Sequence, residues 1–229
     1  MRKYFLFLIS ITLLSCSTVS KYKNQPEVLA WEKDIQKFEQ LDKSKKYPSD
    51  AILFAGSSSI RLWSSLERDM YPFSVIQRGY GGARLSDFAV YASRIFEPHP
   101  CSAIVIFIAN DITGSDRDKS PQEVAALYGN LLRTIRKSHH DTPVFWIEVT
   151  PTSSRWKVWP EIKKANDLIK NICDNHKNTY FIQTDSAFLS ESGQPYDELF
   201  LSDKLHLNAK GYEVWTEIIK RELSRVLNK

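Results

Sequence analysis

The chain has 229 residues, of which 42% are hydrophobic and 25% charged, an ordinary composition for a globular protein with one domain of about 200 residues. Its formal net charge is only +4, and Arg2 and Lys3 supply half of that excess. This charge balance gives no sign of the strongly basic surface that binds nucleic acid, so we expect no nucleic-acid partner.

The N-terminus has the pattern of a signal peptide. The basic pair precedes an apolar run from Tyr4 to Leu14, which is shorter than the roughly 20 residues that span a bilayer. The run leads into Leu13-Leu14-Ser15-Cys16, which resembles a bacterial lipobox, in which the cysteine is acylated. We therefore expect a lipoprotein signal peptide over residues 1–15 and lipidation of Cys16. An ordinary cleaved signal peptide and an uncleaved anchor are the alternatives.

Lipidation of Cys16 predicts attachment to a membrane of the cell envelope. The residue after Cys16 is Ser17 rather than an acidic residue, which favours the outer membrane in a cell with two membranes. A secreted or periplasmic protein is the alternative. Residues 16–25 are polar and predict a tether that joins the lipid to the folded domain.

Residues 26–229 predict that domain. Apolar residues at helical spacing indicate an N-terminal helical extension over 26–45. Short apolar strands then alternate with helices, which predicts a three-layer α/β/α sandwich with a mostly parallel five-stranded sheet. The expected strands are Ala51–Ala55, Ser74–Gln77, Ala103–Ala109, Pro143–Val149 and Thr179–Gln183, and the expected helices are about 84–96, 121–138, 158–175 and 208–227.

Two further cysteines lie within the domain. Cys101 opens a strand and Cys173 lies on a helix. In an oxidising compartment these two thiols could pair as a disulfide. Both have apolar flanks, however, so two separately packed thiols are the favoured interpretation.

Polar or glycine-rich residues follow the predicted strands. Ligands of parallel α/β sheets bind beyond the carboxyl ends of the strands, so we expect these residues to converge. The segments are Gly56-Ser57-Ser58-Ser59 after the first strand, Arg78-Gly79-Tyr80-Gly81-Gly82 after the second, Asn110-Asp111 after the third, and Asp203-Lys204-Leu205-His206 before the last helix.

These residue types are the ones that acyl transfer needs. A serine at a strand-to-helix turn can project its hydroxyl as a nucleophile, and a histidine can deprotonate it. Asp203, three residues before His206, can reach the imidazole and fix its tautomer. Donors for the oxyanion are available from the backbone N–H of Gly82 and from the side-chain amide of Asn110.

The four segments, in this order, resemble the motif blocks of the SGNH (GDSL-type) hydrolases over about residues 50–225. The resemblance implies the flavodoxin-like fold of that family, an esterase or lipase activity, and no cofactor. It implies a catalytic triad of Ser58, Asp203 and His206. By the same resemblance, the oxyanion hole would consist of the Ser58 and Gly82 backbone amides and the Asn110 side chain.

Two positions depart from the family pattern. Ser57 stands where the family has an aspartate before the nucleophile, a change that leaves the catalytic atoms intact. Ile108 replaces the glycine of the third block, Gly-x-Asn-Asp. We expect this branched side chain to narrow the pocket or to alter the presentation of Asn110.

Each motif taken alone has a plainer interpretation. A serine run after a strand is often a turn or helix cap, and Asp-x-x-His is a common surface pattern. The remaining histidines show no recognisable ligand spacing, so no metal site is expected. The ordinary α/β-hydrolase fold requires Gly-x-Ser-x-Gly, whereas position 60 is Ile. The four blocks in sequence favour the esterase.

The segment after the fourth predicted strand contains residues that could contact a substrate. Arg155 and Trp156 emerge at the expected active edge, and with Ser57 they are candidate substrate contacts. Alternatively, Trp156 and Trp159 pack their helix onto the sheet. We expect a serine esterase that acts through an acyl-enzyme on short-chain esters, above all acetyl esters of carbohydrates or cell-envelope glycans. A lysophospholipase or general lipolytic esterase, and a non-catalytic glycan-binding lipoprotein that keeps the fold, are the alternatives. The sequence does not indicate an oligomeric state.

Overall fold

The domain is built on a five-stranded parallel sheet in a computed structural model that describes residues 19–227. The predicted signal peptide and Cys16 lie outside the described residues. The strand order is β2-β1-β3-β4-β5, and every neighbouring pair is parallel, as predicted. The strands are β1 (Ile52–Gly56), β2 (Val75–Gly79), β3 (Ala103–Phe107), β4 (Val144–Ile147) and β5 (Thr179–Ile182).

Helices cover both faces of the sheet, which confirms the three-layer α/β/α prediction. Each expected helix is present, with ends within a few residues of the predicted ones. The α-helices of residues 19–227, in chain order, are α1 (Pro26–Leu29), α2 (Glu32–Ser44), α3 (Ser58–Arg61), α4 (Leu66–Asp69), α5 (Leu85–Phe96), α6 (Pro121–Ile135), α7 (Trp159–Asp174), α8 (Asp185–Phe188) and α9 (Ala209–Leu227).

The strands place alternate side chains in two hydrophobic clusters. On β3, Ile104 and Ile106 face the layer that contains α5, α6 and α7, whereas Val105 and Phe107 face the layer of α3 and α9. Both faces are apolar because both are covered, which explains why the strands read as continuous apolar runs in the sequence. The carboxyl ends of β1, β3 and β4 therefore open at one edge of a fully covered sheet.

The N-terminal extension packs beside the loop that follows β2. Arg94 of α5 donates to Glu32 and Glu39 of α2 at 2.6–2.9 Å. The ring of Trp31, just before α2, lies 5.1 Å from the ring of Tyr80. The extension thus places the Trp31 side chain close to the carboxyl end of β2.

The second half of the predicted tether is packed onto the domain. Residues 19–24 form turns, and the buried Tyr22 donates its hydroxyl to Glu123 of α6. The Nζ atom of Lys21 lies 2.6 Å from a carboxylate oxygen of the same glutamate. Within the predicted tether, residues 19–24 therefore pack against the domain, because the burial of one aromatic ring outweighs the polar character of the segment.

The two cysteines of the domain are separate thiols, the interpretation that the sequence favoured. Cys173 is buried beside the hydroxyl of Tyr128 at 3.3 Å, and the Sγ atom of Cys101 lies 3.9 Å from Nδ1 of His139. Burial raises the pKa of Cys101 to about 12 and the pKa of Cys173 to about 11. Among the helices of residues 19–227, none has the length and apolar character that a membrane crossing requires.

Candidate active site

Ser58 lies at the sharp turn between β1 and α3. A Cβ atom on Gly56 would lie 2.1 Å from the carbonyl oxygen of Phe107, so only glycine allows the two strand ends to approach this closely. The N–H of Ser57 donates to the same Phe107 oxygen at 2.9 Å. The carbonyl oxygen of Ser57 accepts from the N–H groups of Ile60 and Arg61, which begins the helix. The turn leaves Ser58 as the first residue of α3.

The loop before α9 brings His206 to this serine. Nε2 of His206 lies 2.9 Å from Oγ of Ser58, and Nδ1 lies 2.7 Å from Oδ2 of Asp203. The other oxygen of Asp203 accepts the backbone N–H groups of Leu205 and His206 at 2.9 and 3.0 Å. The structure therefore joins the three residues predicted as a triad in one hydrogen-bonded chain.

The ionisation of Asp203 fixes the direction of these hydrogen bonds. Partial burial opposes the charged form, but hydrogen bonds from the His206 side chain and from two backbone N–H groups lower the pKa of Asp203 to about 2. A carboxylate can only accept, so in neutral imidazole the proton sits on Nδ1. Nε2 is then the acceptor for the hydroxyl of Ser58, which is the arrangement of a general base.

Asn110 follows β3 and borders the same space. Its Nδ2 donates to the carbonyl oxygen of Ala83 at 3.0 Å, and its Oδ1 accepts from Nη2 of Arg155 at 2.7 Å. Arg155 also donates to the carbonyl oxygen of Ala109. The predicted substrate contact Arg155 is therefore hydrogen-bonded to the predicted oxyanion donor.

A cavity of about 20 Å³ lies beside Ser58 and His206. Its volume corresponds to roughly one water-sized group. Besides Ser58 and His206, three other predicted residues, Ser57, Asn110 and Arg155, contribute to its wall. The full lining is Ser57, Ser58, Ser59, Phe107, Ala109, Asn110, Val149, Thr150, Thr152, Arg155, Phe200, Leu205, His206, Leu207 and Trp215.

Gly82 and Trp156 do not line this cavity in the described part of the chain. Gly82 lies on the exposed loop after β2 with a φ of +77°, and a Cβ atom placed on it would be 3.5 Å from the ring of Trp31. Trp156 stacks on Trp159, with ring centroids 6.1 Å apart and planes inclined by 11°. Both rings also pack against the hydrophobic core beside the sheet, which is the alternative that the sequence left open for the two tryptophans.

Ile108 does not narrow the cavity, contrary to expectation. The alternation of β3 continues past Phe107, so the side chain of Ile108 points into the layer of α6 and α7 and is 2% exposed. Its neighbour Ala109 lines the cavity instead. The size of the cavity therefore depends on Ala109 and Phe107 rather than on the residue that replaces the family's glycine.

Thr150 and Thr152 are cavity residues that the sequence analysis missed. Both follow β4, so the rule that ligands bind beyond strand ends could have identified them. Oγ1 of Thr150 accepts from Nε1 of Trp215 at 3.3 Å, whereas the buried Oγ1 of Thr152 has no hydrogen-bond partner among the described residues. Between residues 19 and 227, no group of three or more His, Cys, Asp or Glu side chains is arranged to hold a metal ion.

Comparisons with known proteins identify the family and the fold. Residues 50–214 match the GDSL-like lipase/acylhydrolase family. A Streptococcus pneumoniae protein described as a platelet activating factor superposes with a TM-score of 0.74 at 18% identity, covering 86% of this chain and 94% of its own. A GDSL-like lipase from Bacteroides thetaiotaomicron superposes at 0.69 with 13% identity, covering 90% and 99%.

A variant of an acetyl-xylooligosaccharide esterase from Geobacillus superposes at 0.60 with 15% identity, covering 76% of this chain and 94% of its own. At these identities the superpositions show a shared fold. No curated protein sequence matches the chain. The family match covers more than half of the sequence, including Ser58, Asn110, Asp203 and His206. The chain belongs to the GDSL-like lipase/acylhydrolase family and is a carboxylic ester hydrolase.

Proposed function

We propose that the protein is a serine esterase that removes short acyl groups, principally acetyl, from carbohydrates or cell-envelope glycans through an acyl-enzyme. The observation that carries the proposal is the Ser58–His206–Asp203 chain of hydrogen bonds beside a cavity of about 20 Å³. The enclosed part of this cavity suits a group as small as the methyl of an acetyl ester.

The reaction follows from the positions of these groups. His206 accepts the proton of Ser58 as its oxygen attacks the ester carbonyl, which forms a tetrahedral oxyanion. The imidazolium then protonates the departing alcohol, which leaves the acyl group on Ser58 as an acyl-enzyme. His206 next deprotonates a water molecule that attacks this acyl group, and it returns the proton to Ser58 as the acid leaves. Asp203 stays ionised throughout and stabilises the imidazolium across the 2.7 Å hydrogen bond.

The oxyanion requires donors in a site that excludes water. We assign this role to the backbone N–H groups of Ser58 and Gly82 and to the amide of Asn110. Ser58 begins a helical turn, so its N–H is not used by that turn. Asn110 uses one N–H on Ala83 and keeps a second.

The nature of the acyl acceptor is inferred from the surroundings. The Geobacillus protein of the same fold is named for acetylated xylooligosaccharides. The cavity wall includes Thr152, whose buried hydroxyl lacks a partner within the described residues and is free to bond a polar substrate group. These features favour an acetylated carbohydrate over a simple lipid ester.

A lipolytic esterase is the second candidate, and a second cavity favours it. This apolar space of about 20 Å³ shares Ala109 and Val149 with the first and is otherwise lined mainly by aliphatic side chains. If those two side chains moved, a longer acyl chain could extend into it. A non-catalytic glycan-binding protein is the third candidate.

Hydrolysis of p-nitrophenyl esters from acetyl to palmitoyl separates these functions. We expect the highest kcat/KM for acetyl or propionyl and a steep fall beyond butyryl. A maximum at octanoyl or longer would establish the lipolytic function instead. Ser58→Ala should abolish turnover, whereas Ser64→Ala, which changes an exposed serine nearby, should not. Wild-type protein that hydrolyses no ester in the series would support the binding function.

We also propose that Cys16 carries a lipid that attaches the protein to a membrane of the cell envelope. The sequence Leu14-Ser15-Cys16 supports this proposal. Radiolabelled palmitate should enter the wild-type protein but not the Cys16→Ala variant, and the variant should leave the membrane fraction. Equal partitioning of the two proteins would contradict lipid attachment.

A further inference from the structure

Arg155 carries a charge in a place where a charge is costly. The side chain is partly buried in the cavity wall, and it forms no ion pair with a carboxylate of the described residues. Burial lowers the pKa of Arg155 to about 10, so the guanidinium still keeps its proton at neutral pH. A buried charge without a direct counter-ion lowers stability, and such a residue usually has a functional reason to be present.

The hydrogen bonds of Arg155 are directed at the segment that contains Asn110. Nη2 donates to Oδ1 of Asn110 at 2.7 Å, and Nη1 donates to the carbonyl oxygen of Ala109. The two acceptors belong to consecutive residues, and the planar guanidinium holds both at once. A lysine ammonium would not present two donors fixed in one plane.

These bonds determine which way the Asn110 amide faces. A guanidinium has donors only, so the atom that meets it must be the amide oxygen. The amide nitrogen then faces the other way, where it donates one hydrogen to Ala83 at 3.0 Å. Its second hydrogen is left for a ligand in the cavity that Asn110 borders. Rotation of the amide by 180° would break both bonds.

We propose that Arg155 is a positioning residue that locks the amide of Asn110 with an N–H toward the oxyanion and strengthens this donor through its charge. The inference rests on the proposed esterase function. A charged hydrogen bond to the amide oxygen polarises the amide and makes its N–H a better donor. Arg155 thereby acts on the transition state without touching it.

The segment around Arg155 is also fixed to the loop of the catalytic base. The N–H of Ser154 donates to the carbonyl oxygen of Lys204 at 3.2 Å, and the hydroxyl of Ser153 donates to Asp197 at 2.5 Å. The loop between β4 and α7 therefore ties the His206 loop to Asn110. This connection holds the His206 imidazole and the Asn110 amide in fixed positions relative to each other.

A double-mutant cycle tests the proposal directly. Arg155→Met retains the length of the aliphatic stem but removes the donors, and we expect kcat to fall about 10²-fold, the scale of losing one oxyanion donor, with KM changed less than about threefold. Asn110→Ala should cause a similar loss. Because Arg155 acts through Asn110, the double variant should be no slower than Asn110→Ala alone. Multiplied losses in the double variant would overturn the proposal.

Conservative variants distinguish positioning from general stability. Arg155→Lys keeps the charge but loses the planar pair of donors, so its kcat should lie between those of the wild type and Arg155→Met. Lys157→Met, which removes an exposed cation from the same segment, should retain wild-type kcat. If Arg155→Met does not fold, the same cycle can be run with Arg155→Lys. A kcat for Arg155→Lys equal to that of the wild type would contradict the need for the two-pronged contact.

A crystal structure of Arg155→Met gives a readout that does not depend on activity. We expect the amide of Asn110 to rotate or to leave Ala83. An unchanged Asn110, still donating to Ala83, would overturn the positioning role even in an active enzyme. Wild-type protein without esterase activity would instead contradict the proposed function, and the position of Asn110 in this crystal structure would still decide the role of Arg155.

Discussion

Oγ of Ser58 and Nε2 of His206 lie 2.9 Å apart, although 148 positions separate the two residues in the chain. The packing of α3, which begins at Ser58, against α9, which follows His206, explains this proximity. The hydroxyl of Tyr212 in α9 donates to the carbonyl oxygen of Ser59 in α3 at 2.8 Å, and its ring stacks on Trp63 at 5.0 Å. The packing of α9 against α3 therefore presets the geometry between nucleophile and base before any substrate binds.

Substitution of the triad residues should produce unequal losses. Ser58→Ala and His206→Ala should each lower kcat by about 10⁶-fold, because either change removes proton transfer and nucleophilic attack together. Asp203→Ala should cost about 10⁴-fold or less, since Asp203 orients and stabilises the imidazole, and its side chain is 46% exposed to water that can partly replace it. Steady-state hydrolysis of p-nitrophenyl acetate measures these ratios. A greater loss for Asp203→Ala than for His206→Ala would contradict the assigned roles.

The sheet and the convergence of these residues could be predicted from the sequence because local pattern determines both. Apolar runs separated by helical segments specify a covered parallel sheet, and strand ends specify where polar residues meet. The contribution of Ile108 could not be predicted in this way. Its direction depends on whether strand alternation persists one residue beyond β3, which is a matter of backbone geometry rather than residue type.

The role of Arg155 was hidden for a related reason. The sequence shows an arginine at the active edge but not its partner, because 45 positions separate it from Asn110. The burial of Tyr22 was hidden by its polar neighbours, since composition averages over a segment whereas packing selects one ring. Long-range side-chain pairs of this kind emerge only from the folded chain.

The pH dependence of hydrolysis should show no ionisation of Asp203 above about pH 3. The pKa of Asp203 is lowered to about 2, since hydrogen bonds from His206 and from backbone N–H groups outweigh the effect of burial. Asp203 therefore remains ionised above about pH 3. The general base must be unprotonated to act, so log(kcat/KM) should fall with a slope of one proton, and not two, on the acid side of the pH profile. A slope of two above about pH 3 would show that Asp203 also titrates there and would contradict its assigned ionisation.

Gly82→Ala should impair catalysis through the backbone. The φ of +77° is unfavourable for alanine, whereas the nearest atom, on the Trp31 ring, leaves room at 3.5 Å. Relief of this strain would move the N–H assigned to the oxyanion, so we expect kcat to fall by up to about 10²-fold with little change in KM. Gly129→Ala is the matched control, because Gly129 lies within α6 with open space around its Cβ position. It should retain full activity and gain up to about 1 kcal/mol in unfolding free energy. Equal kcat in both variants would remove Gly82 from the oxyanion hole.

Asp87 should make the protein less stable as the pH rises from about 4 to 6. Burial, with a contribution from the charge of Asp111, raises the pKa of Asp87 from 3.8 to about 6, although the backbone N–H of Arg84 donates to it. Between these two values the folded state holds a proton that the unfolded state has lost, so the unfolding free energy decreases with increasing pH. The full difference of about two pH units corresponds to about 3 kcal/mol.

Asp87→Asn removes this titration while keeping an oxygen that can accept from Arg84. We therefore compare the unfolding free energies of the variant and the wild type in urea at pH 4 and pH 7. The difference, variant minus wild type, should be about 2–3 kcal/mol larger at pH 7 than at pH 4. Asp141→Asn changes an exposed aspartate and should shift the difference by less than about 0.5 kcal/mol. A stability difference between Asp87→Asn and wild type that stays constant from pH 4 to pH 7 would show that Asp87 is ionised throughout. The buried start of α5 would then have to stabilise a full negative charge close to Asp111.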